Sequence, residues 1–233
     1  MIVVIGNPMA RSAELGGGVE GTAARSAIAA ARAGATVQLV GKAGEDAAGD
    51  AVILALAAAG VGHVALLRDA SHPTPVVVGP AAPPSAAAPA GDDGDGGMLT
   101  AVLAEDEPAD DLRIAPEAPA DRPTLEPADV ELALRYLTDF RAVVIAEPLP
   151  DALVAVVVEA ASYVGAELVV VRDGTERASL PPGALVLEAP RRDSEGGFAT
   201  MLGELAAAID RGATGRVAFE AIRDRVGVSA VSD

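Results

Sequence analysis

Continuous apolar segments that alternate with helical segments are the feature that most constrains the fold of this chain. The apolar segments are Met1–Gly6, Ala35–Gly41, Ala142–Glu147, Glu167–Arg172 and Ala184–Glu188. The longer segments between them are rich in Ala, Val and Leu, and several end at a glycine, as helices often do. A strand that is apolar throughout is buried on both faces. The alternation therefore predicts an α/β fold in which a mainly parallel sheet lies between two layers of helices.

Two segments interrupt this alternation. Residues Pro80–Gly97 are rich first in Pro and Ala and then in Gly and Asp, so they bury too little apolar surface to order themselves, and we expect a flexible loop. The surrounding segment Pro75–Ala115 contains short strand-like stretches, and we expect it to form a lid or an edge sheet. The length of 233 residues suits one α/β unit, so we expect a single domain over residues 1–233.

Charge and composition exclude several classes of partner and site. The formal net charge is −17, and such a surface repels phosphate backbones and anionic lipid, so we expect neither nucleic-acid nor membrane binding. The chain has no cysteine, which excludes disulfides, thiolate metal sites and a cysteine nucleophile. Its two histidines, His63 and His72, lack metal-ligand spacing, and no metal is expected. Because Met1 leads directly into an apolar strand, we expect a cytoplasmic protein.

One stretch carries a resemblance to a known family. Within Ala24–Gly60, a helix ends at Gly34, a strand ends at Gly41, and the segment Gly44-Glu45-Asp46-Ala47-Ala48-Gly49 precedes a helix that ends at Gly60-Val61. The order and spacing of these elements resemble the ribokinase (PfkB) family of carbohydrate kinases, as does the later strand and Glu-Pro segment at Ala142–Pro148. The resemblance implies a three-layer ribokinase-like fold with a small β lid or edge sheet, in a shortened and degenerate member.

The resemblance also implies a set of substrate-binding residues. The family's substrate loop has two glycines, three further residues and an asparagine whose amide binds sugar hydroxyls, whereas this chain has Glu20, Gly21 and then Arg25 at those positions. Arginine donates hydrogen bonds but accepts none, so Arg25 cannot reproduce an amide. Asn7, after the first strand, and Thr74, before a later strand, complete the predicted substrate-binding residues. Alternatively, Asn7 forms only a turn with the following proline.

The catalytic segment of the family departs further from its pattern. There, Gly-Ala-Gly-Asp-x-Phe opens a helix whose first amides form an anion hole, and the Asp is the general base. Matching the phenylalanine to Phe198 places Gly196 at the position of the base. We therefore expect Gly196 and Gly197 to form a residual anion hole and regard Asp193 as the one candidate base, at a shifted position. The alternative is a tight turn whose amides are capped by Asp193 or Ser194.

These departures lead to three hypotheses about function. The first is a catalytically inactive ribokinase-like protein that binds a small molecule, such as a sugar or nucleoside, or a protein partner; it needs no cofactor. The second is a divergent ATP-dependent carbohydrate or nucleoside kinase that uses Asp193, ATP and magnesium. The third is a structural subunit whose alanine-rich helices pack on another copy, and a homodimer is left open.

Overall fold

The computed structural model describes residues 1–79, 112–174, 178–190, 193 and 195–226. The predicted flexible loop Pro80–Gly97 lies outside these residues. The helices in the described part are α1 (Thr22–Arg32), α2 (Ala47–Ala58), α3 (Pro127–Tyr136), α4 (Asp151–Val164), α5 (Gly197–Asp210) and α6 (Gly215–Val226). The same residues contain ten strands, which form two separate sheets, one large and one small.

The large sheet has six strands, and every neighbouring pair in it is parallel. Its strands are β1 (Ile2–Ile5), β4 (Val37–Gly44), β5 (Leu66–Asp69), β8 (Ala142–Ile145), β9 (Glu167–Arg172) and β10 (Leu185–Glu188), in the spatial order β10-β9-β8-β1-β4-β5. The apolar segments of the sequence therefore form the parallel sheet that they predict. β1 lies between β8 and β4 inside the sheet, and helices cover the sheet on both faces.

Side chains alternate between two apolar clusters, one on each face of this sheet. In β1, Ile2 and Val4 join the cluster covered by α1, α2, α5 and α6, whereas Val3 and Ile5 join the cluster covered by α3 and α4. All four are fully buried, and each such side chain contributes on the order of 1.5–3 kcal/mol to folding. Successive strand residues point to opposite faces, which explains the division. The fold is the predicted three-layer α/β arrangement.

The small sheet is assembled from distant parts of the chain. Its strands are β2 (Met9–Arg11), β3 (Val19–Glu20), β6 (Val76–Val78) and β7 (Arg113–Ala115), in the order β3-β2-β6-β7. The predicted small β lid or edge sheet is therefore present, and the ends of segment 75–115 supply half of it. β3 leads directly to α1 through Gly21, whose φ of 92° is a conformation that glycine adopts readily.

Close packing of α1 on α5 depends on the absence of a side chain at one residue. A Cβ atom on Gly203 of α5 would lie 2.4 Å from the carbonyl oxygen of Ser26 and 2.6 Å from Cβ of Ala29, both in α1. Alanines at positions 23, 24, 27 and 30 of α1 are fully buried here. Small residues on both helices therefore allow their backbones to approach closely, and this contact fixes the beginning of α5 beside α1.

A helix that crosses a membrane must be both long and apolar. None of the helices in residues 1–79, 112–174, 178–190 and 195–226 is long and apolar enough to cross a bilayer.

Candidate functional site

Three strands of the large sheet bring polar groups together at their carboxyl ends. Asn7 follows β1, and its backbone N–H donates to Oε1 of Glu147, which follows β8, at 2.7 Å. The Asn7 side chain accepts from the backbone N–H of Lys42 in β4 at 2.9 Å and donates to the carbonyl oxygen of Pro123 at 2.9 Å. Both ends of the Asn7 amide are thus used within the protein. Substrate binding by Asn7 remains a prediction, and a ligand would compete with these contacts.

Glu147 is a titratable group that is not among the site residues predicted from the sequence. Its burial between protein groups raises the pKa of the carboxyl group to about 7, although the hydrogen bond from Asn7 favours the ionised form. The side chain keeps partial solvent exposure. An acid directly after a fully apolar strand, in Ala142–Glu147, is the signal that could have identified it, because open α/β folds bind ligands at the carboxyl ends of strands.

Arg25 lies in the first turns of α1 and belongs to a cluster of charged side chains. Its Nη2 donates to Glu20 at 2.7 Å, and Arg11 of β2 pairs with the same carboxylate. Glu20 is buried in β3, with 8% relative exposure, so two guanidinium groups neutralise a carboxylate that would otherwise be costly to bury. The Arg11–Glu20–Arg25 cluster therefore joins the small sheet to α1.

Gly21 immediately precedes α1 and contacts the turn after β1. A Cβ atom on Gly21 would lie 3.4 Å from the carbonyl oxygen of Asn7 and 3.5 Å from Cε of Met9. Two predicted substrate-binding residues, Asn7 and Gly21, are thus neighbours. Neither lines the cavity described below, and their role in substrate binding remains a prediction.

Thr74 is buried in a hydrogen-bonded cluster at the beginning of α2. Its hydroxyl donates to Oδ1 of Asp46 at 2.7 Å and accepts from the backbone N–H of Gly44 at 2.8 Å. Burial disfavours the charged form of Asp46, yet hydrogen bonds from Gly49 and Thr74 outweigh it and lower the pKa of Asp46. With 2% relative exposure, Thr74 is used structurally here, and a contact with substrate remains a prediction.

The turn before α5 brings three of the predicted site residues together. Oδ1 of Asp193 accepts from the backbone N–H of Phe198 at 3.0 Å, and Oδ2 accepts from that of Ala199 at 3.0 Å. The backbone carbonyl oxygen of Asp193 accepts from Nη1 of Arg25 at 3.2 Å. Gly196 has a φ of 72° and packs against the Arg25 guanidinium.

This geometry corresponds to the capped turn that was the alternative to an open anion hole. The first amides of a helix attract anions because they lack intrahelical partners and lie at the positive end of the helix dipole. At the beginning of α5, the Asp193 carboxylate already accepts hydrogen bonds from two of these amides, those of Phe198 and Ala199. An anion at Gly196 and Gly197 would have to share this position with that carboxylate or displace it, and anion binding there remains a prediction.

A cavity of about 590 Å³ lies between α1 and α5, next to this turn. Its lining includes Arg25 and Gly196, together with Arg11 of the small sheet and Arg32 further along α1. We call it the arginine cavity. Within the described residues, no group of three or more histidine, aspartate or glutamate side chains is placed to hold a metal ion.

Comparison with known proteins places the fold. No protein-family model and no curated protein matches the chain in sequence. Among solved structures, the ribokinase from Giardia lamblia matches with 15% identity and a TM-score of 0.63, over 99% of this chain and 95% of that chain. A Halothermothrix orenii fructokinase matches with 12% identity and a TM-score of 0.56, over 100% and 99% of the two chains.

A second fructokinase gives the same result. The enzyme from Xylella fastidiosa matches with 14% identity and a TM-score of 0.53, over 96% of this chain and 69% of that chain. Identities this low show similarity of fold. The resemblance drawn from the sequence is thereby confirmed at the level of structure, and the chain has the ribokinase-like α/β fold found in the PfkB sugar kinases.

Proposed function

We propose that this chain is a ribokinase-fold protein that binds a small molecule without transferring a phosphoryl group to it. The observation that carries the proposal is the contact of the Asp193 carboxylate with the backbone N–H groups of Phe198 and Ala199, both at 3.0 Å. These amides begin α5, where the resemblance implies a site for the transferring phosphate. A carboxylate in that position acts as the resident anion.

Phosphoryl transfer to a hydroxyl group needs a base near the attacking oxygen and positive groups around the phosphate. Gly196 occupies the position of the family's base and has no side chain to accept a proton. Asp193 is the nearby acid, but its two oxygens face backbone donors of α5. The negative charge of its carboxylate would also repel the phosphate group to be transferred. Among the described residues of this turn, no side chain is therefore placed to act as a base toward a phosphate at the beginning of α5.

The residue at the position of the family's substrate-binding asparagine also departs from the family's pattern. Arg25 replaces the amide expected for a sugar-binding asparagine, and its guanidinium is held by Glu20 and by the carbonyl oxygen of Asp193. It can donate hydrogen bonds to a ligand but cannot accept them. A neutral sugar bound as in an active kinase would therefore lose the hydrogen bonds that its hydroxyl groups donate to the asparagine amide.

Binding of a small molecule is supported by the arginine cavity. Its volume of about 590 Å³ lies in the range of about 300–1,000 Å³ that is usual for ligand sites. Polar side chains from the small sheet, α1 and α5 converge on it, and the turn that carries Gly196 forms one side. The size and the lining of the cavity therefore support the binding of a small molecule.

Measurement of ADP release tests this proposal. Purified protein with ATP, magnesium and a panel of sugars and nucleosides is expected to release no more ADP than heat-denatured protein, while an active ribokinase serves as the positive control. The divergent-kinase alternative rests on the position of Asp193 in the turn itself. Turnover that is lost in Asp193→Asn would establish that alternative and refute ours.

A further inference from the structure

The arginine cavity is unusual because it gathers three arginines in a strongly acidic protein. Arg11, Arg25 and Arg32 all line it, whereas the whole chain carries a formal net charge of −17. The surrounding protein does not attract anions non-specifically. An anion that binds this protein therefore needs a local cluster of positive groups, and among the described cavities this one provides it.

The three guanidinium groups differ in how far they are used within the protein. Arg11 donates through Nε and Nη2 to Glu20, and Arg25 donates through Nη2 to Glu20 and through Nη1 to Asp193. The side chain of Arg32 is exposed and makes no hydrogen bond or ion pair with any residue in the described part of the chain. Arg32 therefore has all its donors available, and Arg11 and Arg25 are already oriented by Glu20.

The other polar groups of the cavity are acceptors. Glu195 and Glu204 line it on the α5 side, and Glu204 already has a partner. The Thr200 hydroxyl donates to the carbonyl oxygen of Gly196 at 2.8 Å, which leaves its lone pairs free to accept. Carboxylates and hydroxyl oxygens accept hydrogen bonds from the hydroxyl groups of a ligand. The carboxylates of Glu195, Glu204 and Glu20, which pairs with Arg11 and Arg25, balance the charges of the three arginines. A ligand with many negative charges would therefore be repelled.

We propose that the arginine cavity binds a small organic anion that carries several hydroxyl groups and one carboxylate or phosphate group. Arg32 with Arg11 or Arg25 holds the anionic group, since guanidinium pairs with carboxylate and phosphate in a fixed geometry. Glu195 and Thr200 accept from the hydroxyl groups. This inference rests on the proposed function and adds the class of ligand. The cavity volume of about 590 Å³ suits a molecule of sugar size.

Isothermal titration at fixed ionic strength tests the class of ligand, with D-gluconate, D-glucose 6-phosphate and D-glucose as probes. We expect at least one of the two anions to bind at least about tenfold more tightly than glucose, because a charge-assisted pair is formed only by the anion. The gluconate and phosphate titrations distinguish the two anionic groups. Equal binding of all three probes, or binding of neither anion, would overturn the inference.

Two variants test the location. Arg32→Gln should weaken binding of the preferred anion by about tenfold. Arg216→Gln removes the same charge from α6, where Arg216 pairs with Glu220, and should change binding less than twofold. Equal losses of affinity in both variants would mean that only the net charge of the protein affects binding, and the cavity would be excluded as the binding site. ADP release is measured separately, so glucose that binds at least as tightly as both anions, without ADP release, would refute the preference for an anion and leave the proposed function intact.

Discussion

The guanidinium group of Arg25 occupies the space where a side chain of residue 196 would begin. A Cβ atom on Gly196 would lie 2.8 Å from Nη1 and 3.4 Å from Cδ of Arg25. The two positions that the resemblance assigns to substrate binding and catalysis therefore hold a mutually compatible pair. The long Arg25 side chain fills the space that the missing side chain of Gly196 leaves.

This relationship predicts energetic coupling between the two residues. Gly196→Ala should destabilise the protein by about 1–3 kcal/mol, because alanine is strained at a φ of 72° and Arg25 must move. In an Arg25→Asn background, the cost of the same change should fall by about 1 kcal/mol. Urea denaturation of both single variants and the double variant measures the coupling. Additive free energies of unfolding would show that the two side chains act independently.

The role of Asp193 as a helix cap leads to a second prediction. Asp193→Ala should lower the free energy of unfolding by about 1–2 kcal/mol, since two amide donors of α5 lose their acceptor. Glu195→Ala, which changes an exposed acid two residues away, is the control and should have an effect within about 0.5 kcal/mol. Thermal or urea denaturation provides the measurement. Similar stability of the two variants would argue against capping by Asp193.

Packing of α1 on α5 can be tested at Gly203. Gly203→Ala should cost about 2–3 kcal/mol, because its Cβ atom would meet the backbone oxygen of Ser26 at 2.4 Å. Gly197→Ala in the first turn of the same helix is the matched control, since the nearest atom to its Cβ, Oδ1 of Asp193, is 4.0 Å away. The control should be neutral or slightly stabilising. Equal denaturation midpoints for both variants would contradict the observed contact.

The pKa of Glu147 predicts how stability depends on pH. Because the folded state raises this pKa from 4.5 to about 7, Glu147 stabilises the fold fully below pH 4.5, and this contribution is lost as the pH rises through 7. Partial exposure reduces the effect, and we expect about 1–2 kcal/mol between pH 5.5 and 8. Glu147→Gln keeps an acceptor for Asn7 and should remove this part of the dependence.

Urea denaturation at the two pH values measures the difference between wild type and Glu147→Gln. Glu45→Gln, at an exposed side chain, is the control. A pH profile of Glu147→Gln parallel to that of the wild type would show that burial does not raise the pKa of this carboxyl group.

The sequence predicted the large sheet because each of its main strands is a continuous apolar segment, as in Ala142–Glu147. It did not predict β2 and β3, since strands of three and two residues have no periodicity of their own and depend on partners distant in sequence. The helix α3 was also missed. It begins inside an acidic, proline-rich stretch, where Pro127 occupies the first turn and Glu126 with Asp129 forms the capping box.

The candidate site was predictable only in part. Spacing from Phe198 pointed to the turn before α5, and a capping role for Asp193, which the structure shows, was one of the alternatives. The direction of the Asp193 carboxylate follows from the loop conformation, which spacing does not determine. The raised pKa of Glu147 depends on burial by residues from several strands and loops, so no local pattern reports it.

Transfer of labelled phosphate tests the central claim most directly. Protein in excess is incubated with ATP labelled at the γ-phosphate, magnesium and a pooled set of sugars and nucleosides, and the products are separated after a single turnover. We predict no labelled product above the level given by heat-denatured protein, whereas a ribokinase in the same mixture labels its substrate. A labelled sugar or nucleoside formed by the wild type and lost in Asp193→Asn would contradict the account, because Asp193 would then serve catalysis instead of occupying the first amides of α5.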